Sequence, residues 1–306
     1  MIEIYPRVKK KETAIIAYEI NQDYDGVFND FYNKLRNKEH INWDFFFYRL
    51  NKLKIIPTDN QEDFLNKGAL AEYGLRFNQM RIMTKQFKSA VMHEIFHLAS
   101  SVVSKNCIYS GFQQWNRKSG IIIGIGLNEG YTNLLDKRYF GDYVPEKSKD
   151  LEYTYMISTS IAALLENFVG QENMERWYFT ADLDSLVDYL SKYISRDECV
   201  TFLLAMDNVF KLVDKGKVQS PWKAAKNYQY IINFLGRCYM NLYLDEYYQG
   251  AYGKKELKER LEVVRELMER RLEFTKLRFP LTKKISKEDF RAYVIYEKNK
   301  VLQKCA

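Results

Sequence analysis

The stretch TKQFKSAVMHEIFHLASSVVSKN, residues 84 to 106, restricts the fold of this chain more than any other. Wound at about 100° per residue, it places Val91, Ile95, Leu98 and Val102 on one stripe and Met92, Phe96, Ala99 and Val103 on a second. A helix that is apolar nearly all round has to be buried. His93 and His97 project on the remaining side, beside Ala90 and Ser101, as a polar notch. Unpaired imidazoles are costly to bury, so the notch must face something that binds them.

The rest of the composition bounds the answer. At 306 residues, with 46% hydrophobic and 28% charged side chains, the chain can bury a core of ordinary size and holds one large or two medium domains. No run approaches the ~20 apolar residues that span a bilayer, and MIEIYPRVKKKE at the start lacks the apolar core of a signal peptide. A soluble, cytoplasmic protein with no membrane partner is expected. Cys107, Cys199, Cys238 and Cys305 are scattered without CxxC spacing, which suits reduced thiols better than a disulfide frame or a cysteine metal site. The net charge of +7 divides evenly: residues 1–150 hold 22 basic and 18 acidic side chains (+4), and the remainder 25 and 22 (+3). With no basic domain and no polybasic tail, a nucleic-acid partner is not expected.

Periodicity predicts an α+β chain that turns wholly helical. ETAIIAYEI, residues 12–20, reads as a strand, whereas YDGVFNDFYNKLRNK (Val27, Phe31, Leu35) and INWDFFFYRLNKL have helical spacing. After the histidine helix, CIYSGFQQW and SGIIIGIGL flank the turn-forming NRKSG and predict a β-hairpin. A helix then starts near Asn128 and runs to Gly141. From Asp150 onward only helices are expected, over 155–168, 183–194, 199–213 and 222–247, and one presenting Leu257, Leu261, Val264, Met268 and Leu272. Asp182, Ser220 with Pro221, and Ser286 with Asp289 mark helix starts. No internal repeat or low-complexity linker is present, so two domains, 1–145 and 146–306, would meet at a fold boundary.

The spacing of His93, Glu94 and His97 has a chemical reason. Side chains four apart share a helix face, so two neutral imidazoles can converge on one zinc ion. Glu94, turned by about 100°, points beside the metal toward the open position where water sits. Zinc lowers the pKa of bound water, and a neighbouring carboxylate can take its proton so that hydroxide attacks a carbonyl. With three histidines in 306 residues, about 0.002 chance matches to His-Glu-x-x-His are expected.

The third protein ligand is either His40, in the loop-like NKEHINW, or a carboxylate, for which Glu129 in GLNEGYTNLL is the candidate. The 31 residues between His97 and Glu129 are ample for an antiparallel return to the notch. Asn133, one turn on, shares the face of Glu129 and is placed to accept a hydrogen bond from the outer nitrogen of a ligand histidine. Glu129 also suits a plain first-turn acidic residue favoured by the helix dipole.

Over residues 85–140 the chain resembles the gluzincin metallopeptidases, in which His-Glu-x-x-His is completed by a glutamate on a downstream helix; Asn128, Glu129 and Gly130 match the Asn-Glu start of that second element. The resemblance implies a zincin-like α+β core with a small sheet, one Zn²⁺ held by His93, His97 and Glu129, and Glu94 as general base. Thermolysin-like members carry an aspartate near Asn133, so the amide departs from the pattern. The implied activity is hydrolysis of a peptide or protein substrate. Endopeptidase action is favoured over aminopeptidase action, because the Gly-x-Met-Glu-Asn element of related aminopeptidases is missing.

An oxyanion donor could come from Tyr109, Tyr131, Tyr153 or Tyr155; Tyr155 is taken as the catalytic candidate, with simple helix packing as its rival role. The strand that holds an extended substrate would come from residues 74–82 or from the hairpin. The rival functions are an inert zincin-fold binding or scaffold protein and a zinc hydrolase of a non-peptide amide.

Overall fold

A computed structural model of the protein describes residues 25–58, 71–83, 88–104, 106–141, 156–213, 220–269 and 285–305. Its first part alternates helix and strand: α1 (Asp25–Leu35), α2 (Trp43–Leu50), β1 (Lys54–Thr58), β2 (Ala71–Gly74), β3 (Gln79–Met83), α3 (Lys88–Ala99), β4 (Ser101–Val103), β5 (Cys107–Ser110), β6 (Gln113–Asn116), β7 (Ile122–Ile123) and α4 (Ile125–Phe140). The described residues beyond carry helices only: α5 (Met156–Val169), α6 (Gln171–Phe179), α7 (Leu183–Leu190), α8 (Arg196–Val213), α9 (Pro221–Tyr248), α10 (Lys254–Met268) and α11 (Lys287–Cys305). The fold is mixed α+β, dominated by helix. The strand predicted at 12–20 lies outside the described residues.

Two small sheets flank the histidine helix. In the first, ordered β1-β3-β2, β1 runs parallel to β3 with Ile55 opposite Met80, and β2 runs antiparallel to it with Tyr73 opposite Met80. The second is an antiparallel meander, β4-β5-β6-β7. The hairpin predicted around NRKSG is present as β6 and β7, but a tighter one sits inside the preceding run, where β5 and β6 turn at Gly111 and Phe112.

The histidine helix is shorter than its apolar pattern. It stops at Ala99, and Val102 and Val103 belong to β4, paired with Tyr109 and Ile108. The hydroxyls of Ser100 and Ser101 turn back onto the carbonyls of His97 and Leu98, which consumes the acceptors of the last turn and ends the helix. The β-branched pair that follows then pairs as strand. Val91, Met92, Ile95, Phe96 and Leu98 are fully buried, against α1, α2, α4, β2 and β3.

One hydrophobic core takes in residues from Val27 to Cys238. Val27, Phe31 and Leu35 of α1 are completely buried in it, and the Phe31 ring meets Phe46, Phe96 and Phe140. α4 is fastened by charge as well as by packing. Arg138 bridges Glu166 of α5 and Glu175 of α6, Tyr131 donates to Glu166 at 2.6 Å, and Lys38, after α1, reaches Glu175 at 2.6 Å. A second, smaller cluster of Met240, Leu244, Val264, Met268 and Val301 joins α9, α10 and α11.

Candidate metal centre

Helices α3 and α4 bring three donors together. His93 and His97, one turn apart on α3, have their Nε2 atoms 3.2 Å apart. Glu129 of α4 places Oε2 at 3.3 Å from Nε2 of His93 and Oε1 at 3.4 Å from Nε2 of His97. The three form a candidate metal-binding triad. His40 lies elsewhere, in the connection between α1 and α2, where it lines an open cavity of about 430 Å³ with Lys38, Glu172 and Glu175.

The electrostatics are those of one imidazole, His93, paired with a carboxylate. Burial alone would push His93 down, but the hydrogen bond and charge of Glu129, with Glu94 and Asp136 adding, outweigh it and lift His93 to about 9. Glu129 is driven the other way: burial would raise it, yet both histidines hold it far below the ordinary carboxylate range. Burial raises Glu94 against the opposing pull of His97 and His93. One oxygen of Glu94, Oε2, accepts the backbone N–H of Tyr73 at 2.8 Å, so the carboxylate is anchored to the edge strand β2.

α4 begins at Ile125, three residues before its predicted start, so Glu129 lies past the first turn and the dipole reading loses its basis. Gly124 caps it with φ of +83°, in the left-handed region, and offers no side chain to the free N–H groups. Asp207 of α8 does so instead, accepting from Gly124 at 2.9 Å and Gly126 at 2.8 Å. Next to Glu129, Gly130 lets α5 approach closely; a Cβ there would stand 2.3 Å from the carbonyl oxygen of Ser158.

The residue that touches the outer nitrogen of a ligand histidine is Asn128, not Asn133 as expected. Asn133 faces α5 and donates to Thr159 at 2.8 Å. Asn128, fully buried, accepts the Phe112 N–H through Oδ1 at 3.1 Å and sets its Nδ2 at 3.2 Å from Nδ1 of His97. With Oδ1 committed to Phe112, an amide donor faces His97, and the neutral ring carries its proton on Nε2. A metal held on Nε2 would leave the ring proton on Nδ1, facing another donor; turning the amide over would satisfy His97 and strand Phe112.

Of the tyrosines considered as oxyanion donors, Tyr131 is buried and spends its hydroxyl on Glu166, and Tyr109 sits on β5. Tyr153 and Tyr155 lie outside the described residues. Two neighbours of the site escaped the sequence reading. Tyr178, from the unforeseen helix α6, is fully buried with its hydroxyl 2.7 Å from Thr132, and burial, with the charges of Glu129 and Glu94 nearby, pushes its phenol up. Its signal was present in the spacing of Met174, Trp177 and Tyr178 after Gly170. Asp207, 81 residues from the backbone it caps, had none.

Compared with protein-family models, curated proteins and solved structures, the chain matches none. Among the described residues no helix is long and apolar enough to cross a membrane.

Proposed function

We propose that the chain is a zinc-dependent peptide-bond hydrolase of gluzincin type, acting as an endopeptidase. The observation that carries this reading is the convergence of His93, His97 and Glu129 with donor separations of 3.2, 3.3 and 3.4 Å. Zinc–ligand bonds of about 2.0–2.1 Å at tetrahedral angles require donors about 3.3 Å apart. Two imidazoles and one carboxylate suit zinc and leave a fourth position open.

Zinc held there would supply water acidified toward neutrality and a Lewis acid for the scissile carbonyl. The remaining work falls to the chain. Glu94, one residue from a ligand and raised by burial, takes the proton of the attacking water and delivers it to the leaving amine. Its second oxygen, Oε1, has no hydrogen-bond donor among the described residues. The edge of β2 beside Glu94 is the rim along which an extended peptide would lie, in place of the 74–82 segment, most of which is the turn and β3.

The test is metal content and turnover together. Purified wild type is expected to carry one zinc per chain, Glu129→Ala to lose it, and His40→Ala to keep it. Glu94→Gln should retain zinc while peptide hydrolysis falls by about 10³-fold or more. Equal zinc in wild type and Glu129→Ala would overturn the ligand set. Unchanged biological activity in Glu94→Gln would favour the binding-protein reading.

A further inference from the structure

Among the described residues Arg49 is a buried guanidinium with no carboxylate to offset its charge. It lies in the last turn of α2, is 9% exposed, and among the described residues makes no ion pair and has no hydrogen-bond partner for its buried Nε. A charge desolvated in this way without a carboxylate is expensive, and an apolar side chain would fill the space more cheaply. What Arg49 does instead is grip the β2–β3 turn. Nη2 donates to the Tyr73 hydroxyl at 2.5 Å and to the Leu75 carbonyl at 3.0 Å. The Tyr73 hydroxyl donates onward to Oδ1 of Asn78 at 2.7 Å, and Nδ2 of Asn78 returns to the carbonyl of Arg49 at 2.7 Å. The hydrogen bonds close a ring: Arg49 to Tyr73, Tyr73 to Asn78, Asn78 to Arg49. Asn78 holds φ of +50°, a left-handed conformation that asparagine tolerates, which lets the turn place its side chain inside the ring.

The ring fixes Tyr73 from its side chain, and Tyr73 in turn spends its backbone N–H on Oε2 of Glu94 at 2.8 Å. Among the described residues β2 has a strand, β3, on one side only, and on the other side its Tyr73 N–H meets Glu94 of α3. We infer that Arg49 is a positioning residue for Glu94: through Tyr73 it pins one carboxylate oxygen and leaves the other without a donor among the described residues, beside the charges of His93, His97 and Glu129. The catalytic part of this inference rests on the hydrolase reading; the mechanical part does not. Arg suits the task because its planar, permanently charged guanidinium holds the two N–H groups of Nη2 in a fixed plane, one for the phenol and one for the carbonyl, an orientation that the freely rotating ammonium of lysine does not reproduce.

Hydrogen exchange of the whole protein, read at single amides, separates the two parts. In Arg49→Met the Tyr73 amide should exchange at least 10-fold faster, while Met80 and Ile82 in β3 and the zinc content stay as in wild type. In Glu94→Ala the Tyr73 amide should already be fast, and adding Arg49→Met should change it little. Where wild type hydrolyses peptides, Arg49→Met should lower kcat 10- to 100-fold with KM little changed, and Arg49→Lys should recover only part. Wild-type protection of Tyr73 in Arg49→Met, faster exchange over the whole sheet, or independent effects of the two substitutions would overturn the inference. An inactive wild type would sink the hydrolase reading, yet the exchange pattern would still decide whether Arg49 holds Tyr73 against Glu94.

Discussion

Asn128→Asp is expected to tighten metal binding while weakening the metal-free fold. In the native arrangement the two ends of the Asn128 side chain serve different partners: Oδ1 accepts the Phe112 N–H at 3.1 Å, and Nδ2 faces Nδ1 of His97 at 3.2 Å. Once Nε2 of His97 ligates a metal, both neighbours are donors, and whichever way the amide turns one of them is left facing NH₂. A buried donor without an acceptor costs about 1–3 kcal/mol. A carboxylate at 128 accepts from both, so the metal-bound state should recover about that amount, roughly 5- to 150-fold in affinity. Carboxylate acceptance from a ligand histidine also raises the basicity of the ring. Without metal the same carboxylate is buried beside Glu129, and stability should drop by about 1–3 kcal/mol. Competition against a chromophoric chelator at neutral pH gives the affinity; denaturant melts with and without chelator give the stability. Zinc bound no more tightly by Asn128→Asp than by wild type, with the chelated fold intact, would refute the assignment of Asn128 as the partner of His97.

Other expectations follow from the same neighbourhood. Asp207→Ala strands the N–H groups of Gly124 and Gly126, and, after allowing for the cost of burying Asp207 itself, should remove about 2–4 kcal/mol in urea denaturation and weaken metal binding; a loss under about 0.5 kcal/mol would show that the cap is dispensable. Gly124→Ala forces a Cβ into a left-handed backbone and to 2.1 Å from the carbonyl oxygen of Phe112, and should cost about 2 kcal/mol or more, measured as a lowered Tm. His93 is raised from 6.5 to about 9, so its pairing with Glu129 stabilises the metal-free protein fully below about pH 6.5 and ceases to as pH rises through 9, by about 3 kcal/mol at most. The metal must displace that proton, so zinc affinity should rise over the same interval; chelated and zinc-loaded melts from pH 6 to 10 should slope in opposite directions.

The donors of the candidate triad were legible because they are local chemistry: a histidine pair at helical spacing in an apolar run, and a glutamate where the next helix begins. What supports them was not. Residues 124–127 read as a glycine-broken strand, since the group that lets them start a helix is Asp207 on another element. Helical spacing from Glu129 points to Asn133; the packing of α5 against α4 turns it toward Thr159, and no periodicity contains that. The histidine helix was drawn too long because apolar pattern cannot distinguish a buried helix from a buried strand over three residues, and two serine hydroxyls settled the boundary. Tyr73 was invisible as a partner of Glu94 because its contribution is a backbone N–H, which every residue but proline has.

The hairpin of β5 and β6 grips His97 at both ends. The Ser110 hydroxyl donates to its carbonyl at 3.2 Å, and the Phe112 N–H holds the asparagine that touches its ring. The imidazole therefore takes up its orientation only once the two strands that closely follow α3 in the chain have paired and α4 has docked. The order of assembly follows: an ion meets its full set of donors at the end of folding, not at the start, and rapid-mixing measurements of metal uptake will time the closing of the hairpin.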